Sequence, residues 1–255
     1  MALLHGLFGM GSNLGGLARS LQDDFAVLGV DLPNHGRSQW MHDASLDLMA
    51  QTVSVELRAL NDRPWWLVGH SLGGKVAMQM ALDDSSRVAG LVVADIAPVA
   101  YPPRHERVFA ALHEVERARP RSRQAARLLL HAQVDEPGVA DFLGLSLEEQ
   151  GDGSMGWRFN LAGLERNYPQ FLAAPRGATP YHGPTLFIKG ERSDYMQPEH
   201  TPMIRALFPR ARIHQIAGAG HWLHAEKPAR FATLVRNFLL EAEQSSHTAE
   251  REQGA

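Results

Sequence analysis

Trp65-Trp66-Leu67-Val68-Gly69-His70-Ser71-Leu72-Gly73-Gly74 is the stretch that decides how this chain folds. An apolar run enters Gly-x-Ser-x-Gly, and a helix-like run, Lys75-Val76-Ala77-Met78-Gln79-Met80-Ala81, leaves it. Strand, sharp turn and helix in that order form a nucleophile elbow, which lifts one serine above the edge of a sheet. A side chain at Gly69 or Gly73 would crowd such a turn, and the turn residue itself is strained. The motif points to Ser71 as a nucleophile and to acyl transfer as the chemistry. The same residues nearly spell a phosphate-binding loop, Gly69-(four residues)-Gly74-Lys75, and Leu91-Val92-Val93-Ala94-Asp95 imitates the acidic strand of such proteins. That reading needs Ser or Thr at position 76 to hold magnesium, and Val76 has no hydroxyl.

Outward from the elbow, apolar strand-like runs alternate with helical patterns. Ala2–His5, Phe25–Asp31, Trp65–Gly69, Val88–Asp95, Thr185–Lys189 and Arg212–Ile216 read as strands. Several are continuously apolar, as suits parallel strands buried on both faces. Between them Leu14–Gln22, Leu46–Leu60, Leu72–Leu82, Glu199–Leu207 and Pro228–Ala242 read as helices; Leu46, Met49, Val53 and Leu57 fall at helical spacing. This alternation predicts an α/β fold with a mostly parallel, doubly wound sheet. The rhythm breaks from Pro102 to about Thr179, where no strand is convincing and helical patterns lie near His105–Ala118, Ser122–Ala132 and Leu161–Phe171. The expected organisation is a core at 1–101 and 180–242, a helical cap inserted at 102–179, and a disordered tail at 243–255.

With 255 residues, 44% of them hydrophobic, the chain suits one α/β domain with an insertion. A formal net charge of −3 leaves no basic footprint for nucleic acid. The absence of cysteine excludes disulfides and thiolate metal sites. No His-Glu-x-x-His or similar spacing implies a metal, no cofactor is implied, and no apolar run reaches membrane-spanning length. With no signal peptide at the start, the cytoplasm is the expected compartment. The oligomeric state is not legible.

A serine hydroxyl needs a base, and His221 in Gly218-Ala219-Gly220-His221-Trp222 is the choice, because it follows the last strand at its carboxyl end. His70, next to Ser71, and His35, in a polar turn, read as structural, and His105, His113, His131 and His182 as surface residues. Oxyanion donors are expected at Leu72 N–H, which opens the elbow helix, and in His5-Gly6-Leu7-Phe8-Gly9, with Leu7 ahead of Phe8. Two aspartates fit the order serine, acid, histidine: Asp95 at the end of one strand and Asp194 after the next. Phe8, Phe159, Leu161 and Trp222 are expected pocket walls.

Together these motifs resemble the α/β-hydrolase superfamily, with Asp31-Leu-Pro-Asn-His-Gly-Arg-Ser38 as a further piece. More narrowly, Val93-Ala-Asp-Ile-Ala-Pro-Val-Ala-Tyr-Pro102 and Trp157-Arg-Phe-Asn-Leu161 look like small bacterial esterases of the YbfF type. That branch implies Asp95 as the acid, with Ser193 near the histidine, whereas most of the superfamily would place the acid at Asp194. Asp95 is taken here. The superfamily sheet usually begins with two further strands, for which this chain has no room before His5; Phe25–Asp31 would then be an exposed apolar edge. The resemblance implies a serine hydrolase of short- to medium-chain carboxylic esters acting on a small molecule. The alternatives are an acyl thioesterase and, from another class, a non-catalytic small-molecule receptor or scaffold on the same fold.

Overall fold

Apolar runs that cannot face water on either side have to be sandwiched, and such runs form the middle of one six-stranded parallel sheet. The structure, a computed structural model, describes residues 1–253, with side chains throughout except at 137 and 246–253. Strand β1 (Ala2–Leu4) leads through a 3₁₀ turn into helix α1 (Gly15–Leu21) and strand β2 (Leu28–Val30). Helix α2 (Leu46–Leu60), strand β3 (Trp65–His70), helix α3 (Leu72–Asp83) and strand β4 (Val88–Ala94) follow. The segment after β4 holds helices α4 (Glu106–Ala118), α5 (Arg123–Gln133) and α6 (Pro137–Leu145), strands β5 (Leu147–Glu149) and β6 (Met155–Trp157), and helix α7 (Leu161–Leu172). The core resumes with β7 (Thr185–Gly190), α8 (Thr201–Leu207), β8 (Ala211–Ile216), α9 (Leu223–Glu226) and α10 (Pro228–Gln253).

Strand order is β2-β1-β3-β4-β7-β8, all parallel. Alternation along each strand divides the core in two. Leu3, Val68, Val92 and Ile188 pack with Leu17 of α1 and Phe231, Val235 and Leu239 of α10. Leu4, Leu67, Leu91 and Phe187 pack on the other face with Met49 and Val53 of α2 and Val76 and Ala77 of α3. The chain runs outward from β1 to β2 and then returns to β3, so the topological switch lies between β1 and β3. Ligands of such sheets bind at the carboxyl ends beside that switch. The register brings Leu4 opposite Gly69, and His70 opposite Ala94, so the residues that follow them gather at one edge.

Four features differ from the sequence reading. The inserted segment contains a β5–β6 hairpin; its strands are three residues long, too short to show a period, and Gly151–Ser154 is its turn. Helix α6 has no legible period in the sequence because Gly138 and Gly144 interrupt its pattern. The tail read as disordered from residue 243 is instead helical to Gln253. No glycine or second proline breaks the run after Pro228, and Phe231, Val235 and Leu239 seat the helix on the sheet. Residues 254–255 lie outside the described residues. The edge strand β2 is shorter than Phe25–Asp31, and its Gly29 lies against Gly11 of the 3₁₀ turn.

Candidate active site

Ser71 joins β3 to α3 with φ 52° and ψ −117°, a conformation that costs a non-glycine residue about 1–3 kcal/mol. The surrounding glycines make the turn possible. A Cβ at Gly69 would strike the Gly73 backbone, and one at Gly73 would strike the Leu4 and His5 carbonyls. Ser71 N–H donates to Ala94 O at 3.0 Å, which ties the turn to β4.

The loop after β1 closes as a turn, Gly9 N–H to Gly6 O at 3.0 Å, with Phe8 at φ 65°. Two buried histidines fix it. His35 Nδ1–H donates to Pro33 O (2.9 Å), leaving Nε2 to accept from Phe8 N–H (3.1 Å). His5 Nδ1–H donates to Gly6 O (2.8 Å), and its Nε2 accepts from Leu32 N–H (3.0 Å). Burial pushes His5 down to about 4 and His35 to about 3, so both are neutral and each ring nitrogen has one partner. Phe8 N–H is therefore committed. Leu7 N–H and Leu72 N–H have no hydrogen-bond partner among the described residues, and Leu72 N–H stands at the positive end of α3.

His221 lies in the loop between β8 and α9. Its Nδ1–H donates to Asp95 Oδ2 at 2.7 Å, which leaves the lone pair on Nε2. Asp95 is fully buried, and an isolated carboxylate there would be costly. It is surrounded by donors instead: Gly190 N–H reaches Oδ1 at 2.9 Å, and Ser193 Oγ–H shares Oδ2 with His221. Tyr195 stacks on the imidazole, with centroids 4.0 Å apart and 21° between planes. His70 Nε2–H donates to the His221 carbonyl at 2.9 Å; burial above all holds His70 well below the usual imidazole range, so it is neutral. Asp194 is occupied elsewhere. Arg104 pairs with both its oxygens, at 3.1 and 2.5 Å, and holds its carboxyl below the usual range.

Ser71 and His221 line one cleft of about 740 Å³, walled on the far side by Val108, Val139 and Phe142 of the inserted helices. Leu7, Ser193 and Asp194 also reach it. Of the expected pocket residues, Phe8 and Trp222 line this cleft. Phe159 and Leu161 do not: both are buried, and Phe159 lies behind Phe8, stacked on Trp157. The Trp157–Leu161 motif instead anchors the insertion, since Asn160 bonds Asn34 through side chain and backbone. His105, read as a surface residue, faces the cleft with Nδ1 2.5 Å from the Tyr168 hydroxyl. Neither it nor Tyr195 carries a sequence signal. Lys75, the lysine of the false phosphate loop, is buried. Its Nζ donates to the Phe171, Leu172 and Ala173 carbonyls at 3.3, 2.9 and 2.7 Å. Burial pushes this amine down to about 7, while three carbonyls at the negative end of α7 favour its charged form.

The family model for the alpha/beta hydrolase fold matches residues 1–228. The chain is 41% identical over 247 residues to the sn-1-specific diacylglycerol lipase ABHD11 of Mus musculus, covering 94% of this chain and 80% of the relative. It is 39% identical over 240 residues to esterase YbfF of Escherichia coli (strain K12), covering 94% and 92%. Among solved structures, a marine microorganism esterase superposes with a TM-score of 0.89 at 35% identity, covering 93% of this chain and 94% of that one.

Proposed function

The chain belongs to the α/β-hydrolase family as a carboxylic ester hydrolase, and we propose that it works through an acyl-enzyme on Ser71, with short- to medium-chain acyl esters as substrates. Ser71 Oγ attacks the ester carbonyl while His221 Nε2 takes its proton. Leu7 and Leu72 N–H hold the oxyanion of the tetrahedral intermediate. The C–O bond to the alcohol then breaks, and the leaving oxygen takes the proton from His221. Water attacks the acyl-enzyme by the same route in reverse, releasing the carboxylic acid and restoring Ser71. Asp95 fixes the His221 tautomer and stabilises its cation, with Ser193 supporting the carboxylate.

The observation that carries this reading is the buried Asp95–His221 bond of 2.7 Å at the sheet edge where the strained Ser71 stands. Fluorophosphonate labelling combined with hydrolysis of p-nitrophenyl butyrate tests it. The wild type should label at Ser71 and turn over, and Ser71→Ala should do neither. Labelling elsewhere, or turnover that survives the substitution, would refute the proposal. Matched oxygen and sulfur esters in the same assay separate an esterase from a thioesterase, and a receptor would give no turnover of either.

A further inference from the structure

Ser71 lies where two chambers of very different size meet. The first is the 740 Å³ cleft described above, which His221 lines. The second holds about 40 Å³ and is walled by Leu72, Ile96, Tyr101, Phe171 and Leu172. Leu7, Ser71, Arg104, His105 and Tyr195 border both chambers, and His221 borders only the large one.

Proton transfer assigns the chambers. Building on the acyl-enzyme reading, the leaving oxygen must receive its proton from His221 Nε2, so the alcohol has to extend into the chamber that His221 lines. The acyl chain is then directed to the other side of Ser71. We infer that the protein sorts esters by side, taking a short acyl group of about two to four carbons on a bulky, ring-sized alcohol. About 10–15 Å³ of such space is the threshold for a single water, so the small chamber admits only a few atoms. The larger cleft falls within the size range of pockets that enclose drug-sized molecules.

The small chamber is braced against expansion. Its floor is the last turn of α7, held through the Phe171 and Leu172 carbonyls by Lys75, which also lines the chamber. Its side wall is Tyr101, whose hydroxyl donates to Tyr195 O at 2.5 Å and accepts from Ala97 N–H at 2.9 Å, and whose backbone N–H donates to Leu172 O at 2.9 Å. A longer acyl chain would have to break this lattice.

Two isomeric esters test the inference. Benzyl acetate carries its ring on the alcohol, methyl phenylacetate carries it on the acyl group, and both release simple primary alcohols. In a pH-stat assay, each rate corrected for hydroxide hydrolysis, the wild type should prefer benzyl acetate by about 30-fold or more in kcat/KM. Leu172→Ala and Phe171→Ala should narrow that preference by raising the rate on methyl phenylacetate relative to that on benzyl acetate. Methyl acetate through methyl octanoate on the wild type gives a readout that needs no variant, and kcat/KM should fall beyond butyrate. A wild type that labels at Ser71 yet hydrolyses the isomers equally, or prefers methyl phenylacetate, would overturn the size sorting and leave the acyl-enzyme intact. A wild type that neither labels nor hydrolyses p-nitrophenyl butyrate would overturn both. Folded variants with an unchanged preference would overturn the assignment of α7 as the floor.

Discussion

Asp95 and Asp194 stand at the ends of neighbouring strands, and the difference between their loops explains which carboxylate serves the histidine. Asp95 is fully buried, accepts from a backbone N–H, a hydroxyl and the His221 ring, and has no cation among those hydrogen-bond donors. Asp194 has a side chain 66% exposed and holds the guanidinium of Arg104, which itself lies over the Tyr195 ring. A carboxylate whose partners are neutral and fixed has its charge in hand for an imidazolium formed during reaction. One already neutralised by a guanidinium has little to offer, and water screens what is left. Position at the correct edge is therefore necessary without being sufficient; burial and the choice of partners decide.

The sharpest way to break this contrast is Asp95→Asn, which should lower kcat about 10³–10⁴-fold, because the amide favours the wrong imidazole tautomer. Steady-state kinetics on p-nitrophenyl butyrate measures it, and a loss of less than tenfold would contradict the assignment. Acid extends the contrast between buried and exposed groups to the histidines. Burial holds His5, His105 and His224 at about 4, His35 at about 3 and His70 well below the usual range. Each ring stays neutral in the folded protein while the unfolded chain takes up its proton near 6.5. Stability is then fully present above pH 6.5 and falls as the pH drops toward 4, by on the order of a few kcal/mol. Urea midpoints at pH 7, 5.5 and 4.5 should show the decline, and a flat profile would mean that these rings are not buried neutral. Ser193→Ala removes one donor from Asp95 and should cost about tenfold in kcat/KM. The smallest effect belongs to Asp194→Asn, with activity within about threefold of wild type, as expected for a mostly exposed ion pair. A larger loss there than at Asp95 would reverse the comparison outright.

The elbow, the loop after β1 and His221 were legible because each is a local motif joined to a recognisable strand end. The acid was not legible from the residues alone, since two aspartates met the same local description, and only the narrower resemblance favoured Asp95. What separates them is Arg104, Gly190 and Ser193, residues some 90 positions or more from one aspartate or the other in the chain. Leu7 could be preferred over Phe8 from the motif, but the reason, the capture of Phe8 N–H by His35, spans 27 residues and needs the fold. Phe159 misled because an aromatic residue in a recognised motif looks the same whether it walls a pocket or backs the residue that does. Tyr195 and His105 carry no sequence pattern: Tyr195 stacks on His221 and His105 packs against Phe8, contacts that only the fold creates.

Lys75 has one more consequence. Its amine ties the far end of the insertion to the helix that follows Ser71. Swinging that end away would leave a buried amine without its three carbonyl partners. The insertion is thus moored at its exit, while at its other end α4 and α6 meet the large cleft through Val108, Val139 and Phe142.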